Sequence, residues 1–422
     1  MKLSPYPLEQ DLGICCYITD TPGIQGKLRA GPEDFAVEEV PLKIGNEGKY
    51  LICKLTKTNW ELQRVVKEIA KNLGISHRRI SWSGTKDKNA VTTQLISLYD
   101  VDPCDLEKIH IPDIVCTPVG RSHEQLQLGK HAGNLFKIII RDFSLDNAEL
   151  ETITLQSAAK NGIPNYFGLQ RFGVTRPVTH TIGLHLLKGE FQEATLKYIG
   201  GGFPGENPNT KRARDNFSET NDTLLALKEF PRQLTYERAL LQYLHSNPND
   251  YQGAILSLPP RLISLFVSAF QSLIFNLSLS ARLKAGIGLL EPVNGDRLIF
   301  ADGRVDRVNE KNIVASKVLL TRGRSDICSF ITGNTDPEPA GLMDTIISDL
   351  MVKFGIRAEN FKEIEKVIKV RYNGALRPIS LRTFIDFEIA EDKLQLKFEL
   401  KPGQYATIVC RELMKSDPIS TL

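Results

Sequence analysis

The amino-acid sequence predicts an α+β protein, because strand patterns lie near both ends of the chain and a more helical stretch lies between them. Short apolar stretches, broken by glycine and proline, occupy residues 27–50, and residues 394–400 alternate apolar and polar side chains. Between these ends, an apolar stripe from Leu262 to Leu277 has helical spacing and predicts a core helix. A chain of 422 residues is too long for one ordinary core, so we predict an inserted domain.

Periodicity predicts the elements of the first third of the chain. A helix is expected over residues 62–73, where apolar residues repeat every 3.6 positions; Thr58 and Glu61 have the spacing of a capping box, and Gly74 follows the helix end. Strands are expected at 79–83, 90–99 and 135–141, and the last is apolar enough to be central. The polar turn at 84–89 therefore joins two strands.

Two later segments are harder to interpret. The polar, basic segment from Gly200 to Arg214 predicts a surface loop, and a solvated loop is a more ordinary interpretation of Lys211, Arg212 and Arg214 than phosphate binding. The tail has strand character up to the turn at Pro402 and Gly403, and we expect it to continue as a strand over 406–410.

The composition is that of a soluble globular protein. It contains 53 basic and 50 acidic residues, so the net charge of +3 does not by itself indicate a polyanionic partner, although a basic face could still bind nucleic acid. Its seven cysteines are odd in number and form no CxxC pair, which favours reduced thiols in a cytoplasmic protein. No leader pattern and no apolar stretch approaching a membrane span is evident, so we expect no membrane partner.

Common catalytic motifs are missing from the sequence. Residues 45–50 superficially resemble a phosphate loop, but two residues separate the glycines instead of four, and Tyr50 replaces the required Ser or Thr. No HExxH pair and no GxSxG elbow occurs, and no histidine lies beside a metal-ligand set. These observations argue against the usual hydrolases, kinases and metalloenzymes.

The turn at 84–89 places one acid, Asp87, between Lys86 and Lys88. A cationic rim keeps a carboxylate ionised and attracts an anionic substrate. The run Thr92–Gln94 that follows offers hydrogen-bonding groups on both faces of the next strand. A solvated turn of alternating charge is the ordinary alternative.

Five segments carry a resemblance to a known family. In chain order they are Leu28-Arg-Ala-Gly-Pro-Glu-Asp-Phe35, Ser83-Gly-Thr-Lys-Asp-Lys-Asn-Ala-Val-Thr-Thr-Gln94, Gly133-Asn-Leu-Phe136, Gly162-Ile-Pro-Asn-Tyr-Phe-Gly-Leu-Gln-Arg-Phe-Gly173 and Pro402-Gly-Gln-Tyr-Ala-Thr-Ile-Val-Cys-Arg-Glu412. Together they resemble the TruD family of tRNA pseudouridine synthases, in the same order and over nearly the whole chain.

This resemblance implies an isomerisation that needs no cofactor and no metal. Such enzymes cleave the N-glycosidic bond of a uridine, usually uridine 13 in the D arm of tRNA, and rejoin the ribose to C5 of the base. By the same resemblance, Asp87 acts as the nucleophile or as a charge partner in the reaction, and Arg29 is the basic residue that pairs with it, although Arg29 alone would be interpreted as a surface charge. Whether Asp87 attacks ribose or base stays open.

The resemblance also implies substrate-binding residues. Phe136 would stack on the flipped uracil, an interaction worth about 1–3 kcal/mol per base. Asn134 would hydrogen-bond near Asp87 or to the substrate, and Tyr405 would wall the pocket. Lys86 belongs to the expected cationic rim, and Arg171 would border the cleft. The ordinary alternatives are a core position for Phe136 and for the aromatic residues around Arg171.

The implied architecture is a mixed, mostly antiparallel sheet flanked by helices, with an inserted α+β domain. We expect residues 1–161 and 377–422 to form the catalytic domain and residues 162–376 the insertion. Two other functions compete with the enzyme: a catalytically inactive RNA-binding relative, and an aspartate-dependent hydrolase. The first conflicts with the joint presence of Asp87, Arg29, Asn134 and Phe136, and the second lacks a further carboxylate. The oligomeric state is left open.

Overall fold

The computed structural model describes residues 1–41, 43–336 and 339–420. Over these residues the strands, in chain order, are β1 (Lys2–Leu3), β2 (Cys16–Tyr17), β3 (Lys27–Leu28), β4 (Phe35–Val40), β5 (Tyr50–Thr58), β6 (Ile80–Trp82), β7 (Val91–Tyr99), β8 (Ile114–Ser122), β9 (Gly133–Arg141), β10 (Ile163–Pro164), β11 (Arg297–Phe300), β12 (Val305–Arg307), β13 (Ser325–Ile331), β14 (Ala375–Pro378), β15 (Ser380–Leu381), β16 (Ile385–Ala390) and β17 (Lys393–Leu400).

The same residues form α-helices that range from a single turn to 25 residues. They are α1 (Pro7–Asp11), α2 (Leu62–Asn72), α3 (Ala148–Asn161), α4 (Thr179–Lys188), α5 (Phe191–Ile199), α6 (Pro208–Thr220), α7 (Thr223–Glu229), α8 (Thr235–Ser246), α9 (Tyr251–Leu256), α10 (Pro260–Lys284), α11 (Ile313–Thr321), α12 (Leu342–Phe354), α13 (Ala358–Ile368) and α14 (Ala406–Met414).

The chain divides into two compact units. The sheet unit consists mainly of Thr21–Gly162 and Leu381–Ser416, and the central unit consists mainly of Met1–Asp20 and Ile163–Ser380. The sequence placed residues 1–20 with the catalytic domain, whereas in the structure they belong to the central unit. There, β1 pairs with β2, and the backbone N–H of Cys15 donates to Ser280 Oγ of α10 at 3.1 Å.

The sheet unit is built on a nine-stranded sheet in which the strand order is β16-β17-β9-β4-β7-β5-β8, with β3 added beside β9 and β6 beside β7. The β4–β7 pair is parallel, and the other pairs of this sheet are antiparallel. This confirms the predicted α+β class with a mixed, mostly antiparallel sheet. Helix α2 buries its apolar stripe against β5, β6 and β7, as expected for an amphipathic helix on a sheet.

The central unit combines helices with a four-stranded antiparallel sheet of order β12-β11-β13-β14. Its longest helix, α10, packs against α4 and α12. By length and composition α10 could cross a membrane, contrary to the expectation that no segment approaches that length, but 72% of its apolar window is buried inside the protein. The predicted role as a core helix is therefore the better description, because the apolar side chains are already covered.

Three local expectations differ from the structure. Thr58 ends β5 and does not cap α2, whose first turn follows Glu61 without a side-chain cap. The loop was predicted to extend to Arg214, but helix α6 begins at Pro208. The side chain of its N-cap residue, Asn207, accepts a hydrogen bond from the backbone N–H of Asn209. Residues 406–410 begin α14 and do not form a strand, because their β-branched residues pack on the buried face of a helix.

Burial of His180, on α4, makes the stability of the central unit sensitive to acid. Burial is the main cause that lowers the pKa of His180 to about 4, and the charge of Lys197 lowers it further. The unfolded chain therefore binds a proton more readily than the folded chain below about pH 6.5. Stability from this group is complete above that pH and is lost as the pH falls toward 4, by up to about 3 kcal/mol.

We expect His180→Gln to flatten the acid side of the stability profile, measured as the free energy of unfolding in urea between pH 7 and pH 4.5. The exposed His245 of α8, in the same unit, provides a matched control. A His180→Gln profile that parallels the wild type would contradict the assignment, and His245→Gln should leave the slope unchanged.

Candidate active site

Asp87 lies in a loop at 84–90 that joins β6 to β7, two antiparallel neighbours in the sheet. The loop is tight, because the backbone N–H of Ala90 donates to the Lys88 carbonyl at 2.9 Å. Gln94, on β7, donates from Nε2 to the Gly84 carbonyl at 2.8 Å. A loop fixed in this way on a rigid sheet can hold a reactive carboxylate in a constant position.

Arg29 and Asp87 form an ion pair, with Nη2 and Oδ2 2.5 Å apart. The Arg29 side chain is 15% exposed and the Asp87 side chain is 41% exposed, so the carboxylate is open to solvent on one side. The guanidinium also lies over the Phe35 ring, 4.2 Å from its centroid, a cation–π arrangement that fixes its plane. The structure thus brings together the two residues for which the sequence predicted catalytic roles.

Arg29 has an unusual backbone conformation, with φ of +59°. Left-handed backbone is uncommon for residues other than glycine, asparagine and aspartate, and it persists where the surroundings enforce it. Here the residue directly follows β3, and its side chain is fixed by Phe35 and Asp87.

Phe136 lies in a row of aromatic side chains across three adjacent strands. Its ring stacks on Phe398 of β17 with centroids 5.6 Å apart and meets Phe35 of β4 edge-on at 6.1 Å. Phe136 is only 8% exposed. The row therefore serves the core of the sheet unit, and Phe35 links it to the Arg29 guanidinium.

Lys86 points inward, away from the cationic rim that the sequence predicted. Its Nζ pairs with Glu39 Oε2 at 3.0 Å, and both side chains are buried. Ser83 donates to the other Glu39 oxygen at 3.1 Å. A Cβ on Gly84 would lie 2.9 Å from Lys86 Nζ, so the glycine leaves room for the ammonium. Lys88, by contrast, is exposed.

Asn134 lies at the start of β9, opposite Glu39 of β4. Its Nδ2 is 3.3 Å from His131 Nε2, and no described residue hydrogen-bonds its buried Oδ1. The pKa of His131 is lowered by burial and then by the positive charge of Lys86, while Glu39 opposes these effects. His131 is therefore held neutral beside Asn134 at ordinary pH.

Lys57, near the end of β5, lies beneath the Asp87 loop and is 0% exposed. Its Nζ donates to the backbone carbonyls of Asp87 at 2.8 Å and Trp60 at 2.7 Å. Burial lowers the pKa of Lys57 to about 8, partly offset by the negative charge of Asp87.

Tyr405 and Arg171 lie in different units. Tyr405 is half-buried and directly precedes α14 of the sheet unit. Helix α14 carries the buried Cys410, and burial raises the pKa of this thiol to about 12. The positive charge of Arg29 opposes that rise, so Arg29 lies close enough to α14 to act on Cys410. Arg171 belongs to the central unit, where its Nε donates to Ser272 Oγ of α10 at 3.0 Å and its guanidinium lies 5.8 Å from the Phe167 ring.

The sequence interpretation missed Lys57 and Glu39. On β5 the inward positions are Leu51, Cys53, Leu55 and then Lys57; on β4 they are Phe35, Val37 and then Glu39. A charged residue in phase with the buried face of a strand costs free energy unless it has a partner. A charged residue at a position where the alternation predicts a buried apolar one was therefore the sequence signal that could have identified Lys57 and Glu39.

Comparison with known protein families shows the class of protein to which the chain belongs. A family model described as tRNA pseudouridine synthase D (TruD) matches residues 11–413. The chain therefore belongs to the TruD family of pseudouridine synthases, which are isomerases.

Individual relatives agree with this assignment. A protein of Methanococcoides burtonii named "Probable tRNA pseudouridine synthase D" is 38% identical over 98% of each chain. A protein of the same name from Pyrococcus furiosus is 37% identical over 97% of this chain and 100% of its own. The crystal structure of a Methanosarcina mazei protein named "Putative tRNA pseudouridine synthase D (TruD)" is 37% identical in sequence, with a TM-score of 0.82 over 99% of this chain and 100% of the other.

Proposed function

We propose that this protein converts uridine 13 in the D arm of tRNA to pseudouridine and that Asp87 is the nucleophile. One observation supports the proposal most directly: a half-exposed carboxylate is paired with Arg29 and held by a loop that the sheet fixes from below. A neighbouring cation favours the ionised form of a carboxylate, which is the form that can attack. Because tRNA is its substrate, we place the protein in the cytoplasm.

The reaction is an isomerisation in which atoms and charge balance within the nucleotide. The bond between ribose C1′ and uracil N1 breaks, a bond between C1′ and C5 forms, the proton on C5 is lost, and N1 gains a proton. An Asp87 carboxylate can form a temporary covalent bond either to C1′ or to the uracil ring. Both routes end with the free carboxylate and the Arg29 pair restored.

Asn134 and Phe136 are proposed to bind the flipped base. Asn134 Oδ1 is buried and accepts no hydrogen bond from the described part of the chain, which supports a hydrogen bond to the uracil ring. Tyr405 is proposed to wall the pocket, and Arg171 to contact tRNA from the central unit. Lys86 is proposed to act on the substrate through the position of the Asp87 loop, since its ammonium is paired with Glu39.

The deciding experiment incubates the purified protein with an unmodified tRNA transcript and maps pseudouridine nucleotide by nucleotide. Conversion at position 13 is expected, and a transcript with cytidine at that position should stay unmodified. Conversion at another uridine would keep the enzyme class and overturn the position. Binding without any conversion would favour the inactive RNA-binding relative.

Variants of Phe136 can distinguish a role in substrate binding from a role in the core of the sheet unit. Phe136→Ala should destabilise the sheet unit by about 3–5 kcal/mol, because it leaves a cavity in the aromatic row. Phe136→Leu fills most of that space but offers no flat ring, so we expect it to fold and to lose turnover by about 5-fold or more, which corresponds to the low end of a stacking interaction, about 1 kcal/mol.

Turnover and the free energy of unfolding are measured for both variants and for Phe398→Leu, a change in the ring that stacks on Phe136. If Phe136→Leu and Phe398→Leu lose stability and turnover in the same proportion, the ring of Phe136 has only a core function.

A further inference from the structure

We propose that Lys57 is a positioning residue that holds the Asp87 loop through the main-chain carbonyl of Asp87 and places a positive charge beneath the carboxylate. This inference rests on the proposed function of Asp87, but the contacts that carry it belong to the free protein.

The geometry joins three parts of the sheet unit at one ammonium group. Lys57 stands at the end of β5, and its Nζ donates to the Asp87 carbonyl at 2.8 Å and to the Trp60 carbonyl at 2.7 Å. Trp60 lies just before α2, and Asp87 lies in the loop that joins β6 to β7. The ammonium therefore fixes the distance between the start of α2 and the Asp87 loop.

The environment makes this contact unusual for a lysine. The whole residue is buried, whereas lysine side chains normally reach solvent. Both hydrogen bonds that Nζ makes to described residues go to neutral carbonyls, and neither goes to a carboxylate. A buried ammonium without a carboxylate partner costs free energy. Its presence at a core-facing position therefore calls for a functional reason, which we assign to the site.

The charge of Lys57 acts on Asp87 as well as on its backbone. The charged groups that interact with Lys57 are Asp87, Lys86 and Glu61. Lys86 is paired with Glu39, and Asp87 with Arg29. Asp87 thus lies between two cations with different roles, because Arg29 meets the carboxylate from the side and Lys57 holds the backbone from below.

Gln94 and Glu39 anchor the same loop at other points, through the Gly84 carbonyl and the Lys86 ammonium. Lys57 is the anchor at Asp87 itself. Its removal should therefore misplace the carboxylate without opening the whole loop, and a misplacement of about 1 Å can reduce turnover by about 10²-fold.

Lys57→Met keeps the length of the apolar stem and removes both the donor and the charge. We expect kcat for pseudouridine formation to fall by about 10²-fold and KM for tRNA to stay unchanged. Hydrogen–deuterium exchange in the free protein should rise in a peptide covering residues 84–90. Lys54→Met, on the same strand but exposed and paired with Glu38, should change neither measurement.

The dependence on pH gives a second readout. The Lys57 ammonium is charged below its lowered pKa of about 8 and neutral above it. In the wild type, kcat should fall as the pH rises through about 8, and this step should be missing from the Lys57→Met profile. A residue that served only to fill space would not move a pH profile.

Leu55→Ala controls for general destabilisation, since Leu55 is the preceding inward residue of β5 and is buried. If Leu55→Ala, at an equal loss of melting temperature, reduces kcat as much as Lys57→Met, the proposal is overturned. It is also overturned if exchange at 84–90 is unchanged in Lys57→Met. A wild-type protein that forms no pseudouridine would refute the proposed function instead, while the exchange experiment would still decide the role of Lys57.

Discussion

Asp87→Asn is expected to abolish pseudouridine formation while leaving the fold and tRNA binding intact. Asparagine has nearly the same shape, so it can occupy the loop and leave the carbonyl contact to Lys57 in place. An amide, however, is a poor nucleophile and carries no charge to pair with Arg29. Removing a nucleophile typically reduces turnover by several orders of magnitude, and about 10⁴-fold or more is expected here.

Single-turnover conversion of tRNA measures this effect, with binding followed separately by filter retention. Asp142→Asn is the matched control, because Asp142 is an exposed aspartate of the same unit that pairs with Lys27 at 2.9 Å. Full activity of Asp87→Asn would remove Asp87 from the mechanism even if the protein is a pseudouridine synthase. Loss of tRNA binding in step with turnover would instead indicate a role in recognition.

Arg29→Met should cause the next largest loss. The substitution keeps an apolar stem that can lie against Phe35 but removes the cation that holds Asp87. Loss of one preorganised charge at a reacting group costs about 10²–10³-fold in turnover, and we expect a decrease of that size. Lysine lacks the planar guanidinium, so Arg29→Lys should recover only part of the loss.

Substitution of Arg29 and substitution of Arg141 should rank in opposite order for loss of stability and for loss of activity. The Arg29–Asp87 pair is partly exposed, so its loss should cost only about 1 kcal/mol or less. Arg141 instead donates from Nε and Nη2 to both oxygens of the buried Asp34, at 2.9–3.0 Å. Arg141→Met should therefore lower the free energy of unfolding more than Arg29→Met and leave turnover of the folded protein unchanged. Equal losses of activity in the two variants would show that Arg29 acts through stability alone.

Much of the sheet unit could be predicted from periodicity, and the limits have physical causes. Strands β7 and β9 and helix α2 were placed within two residues, because each has one strongly apolar face. The segment at 406–410 was predicted as a strand and is helical. Its β-branched residues favour strands locally, but burial of one helix face in tertiary packing overrides that preference.

The sequence predicted which loop carries the site better than it predicted the directions in which the neighbouring side chains point. Segment matching identified Asp87 and Arg29, which the structure joins. The sequence could not show that Lys86 turns inward to Glu39, because adjacent residues in a turn can point in opposite directions. It also could not show that Lys57 reaches Asp87, since residues 57 and 87 become neighbours only when β5 pairs with β7.

The position of β9 has a consequence for the order in which the protein can mature. Its two long neighbours are β4, about a hundred residues earlier in the chain, and β17, more than two hundred residues later. During synthesis, one edge of β9 therefore stays unpaired until residue 400 has been made, while Ile163–Ser380, the larger part of the central unit, is produced in between. Because unpaired strand edges invite wrong pairing, we expect chaperone dependence to be greatest for chains arrested between residues 162 and 393.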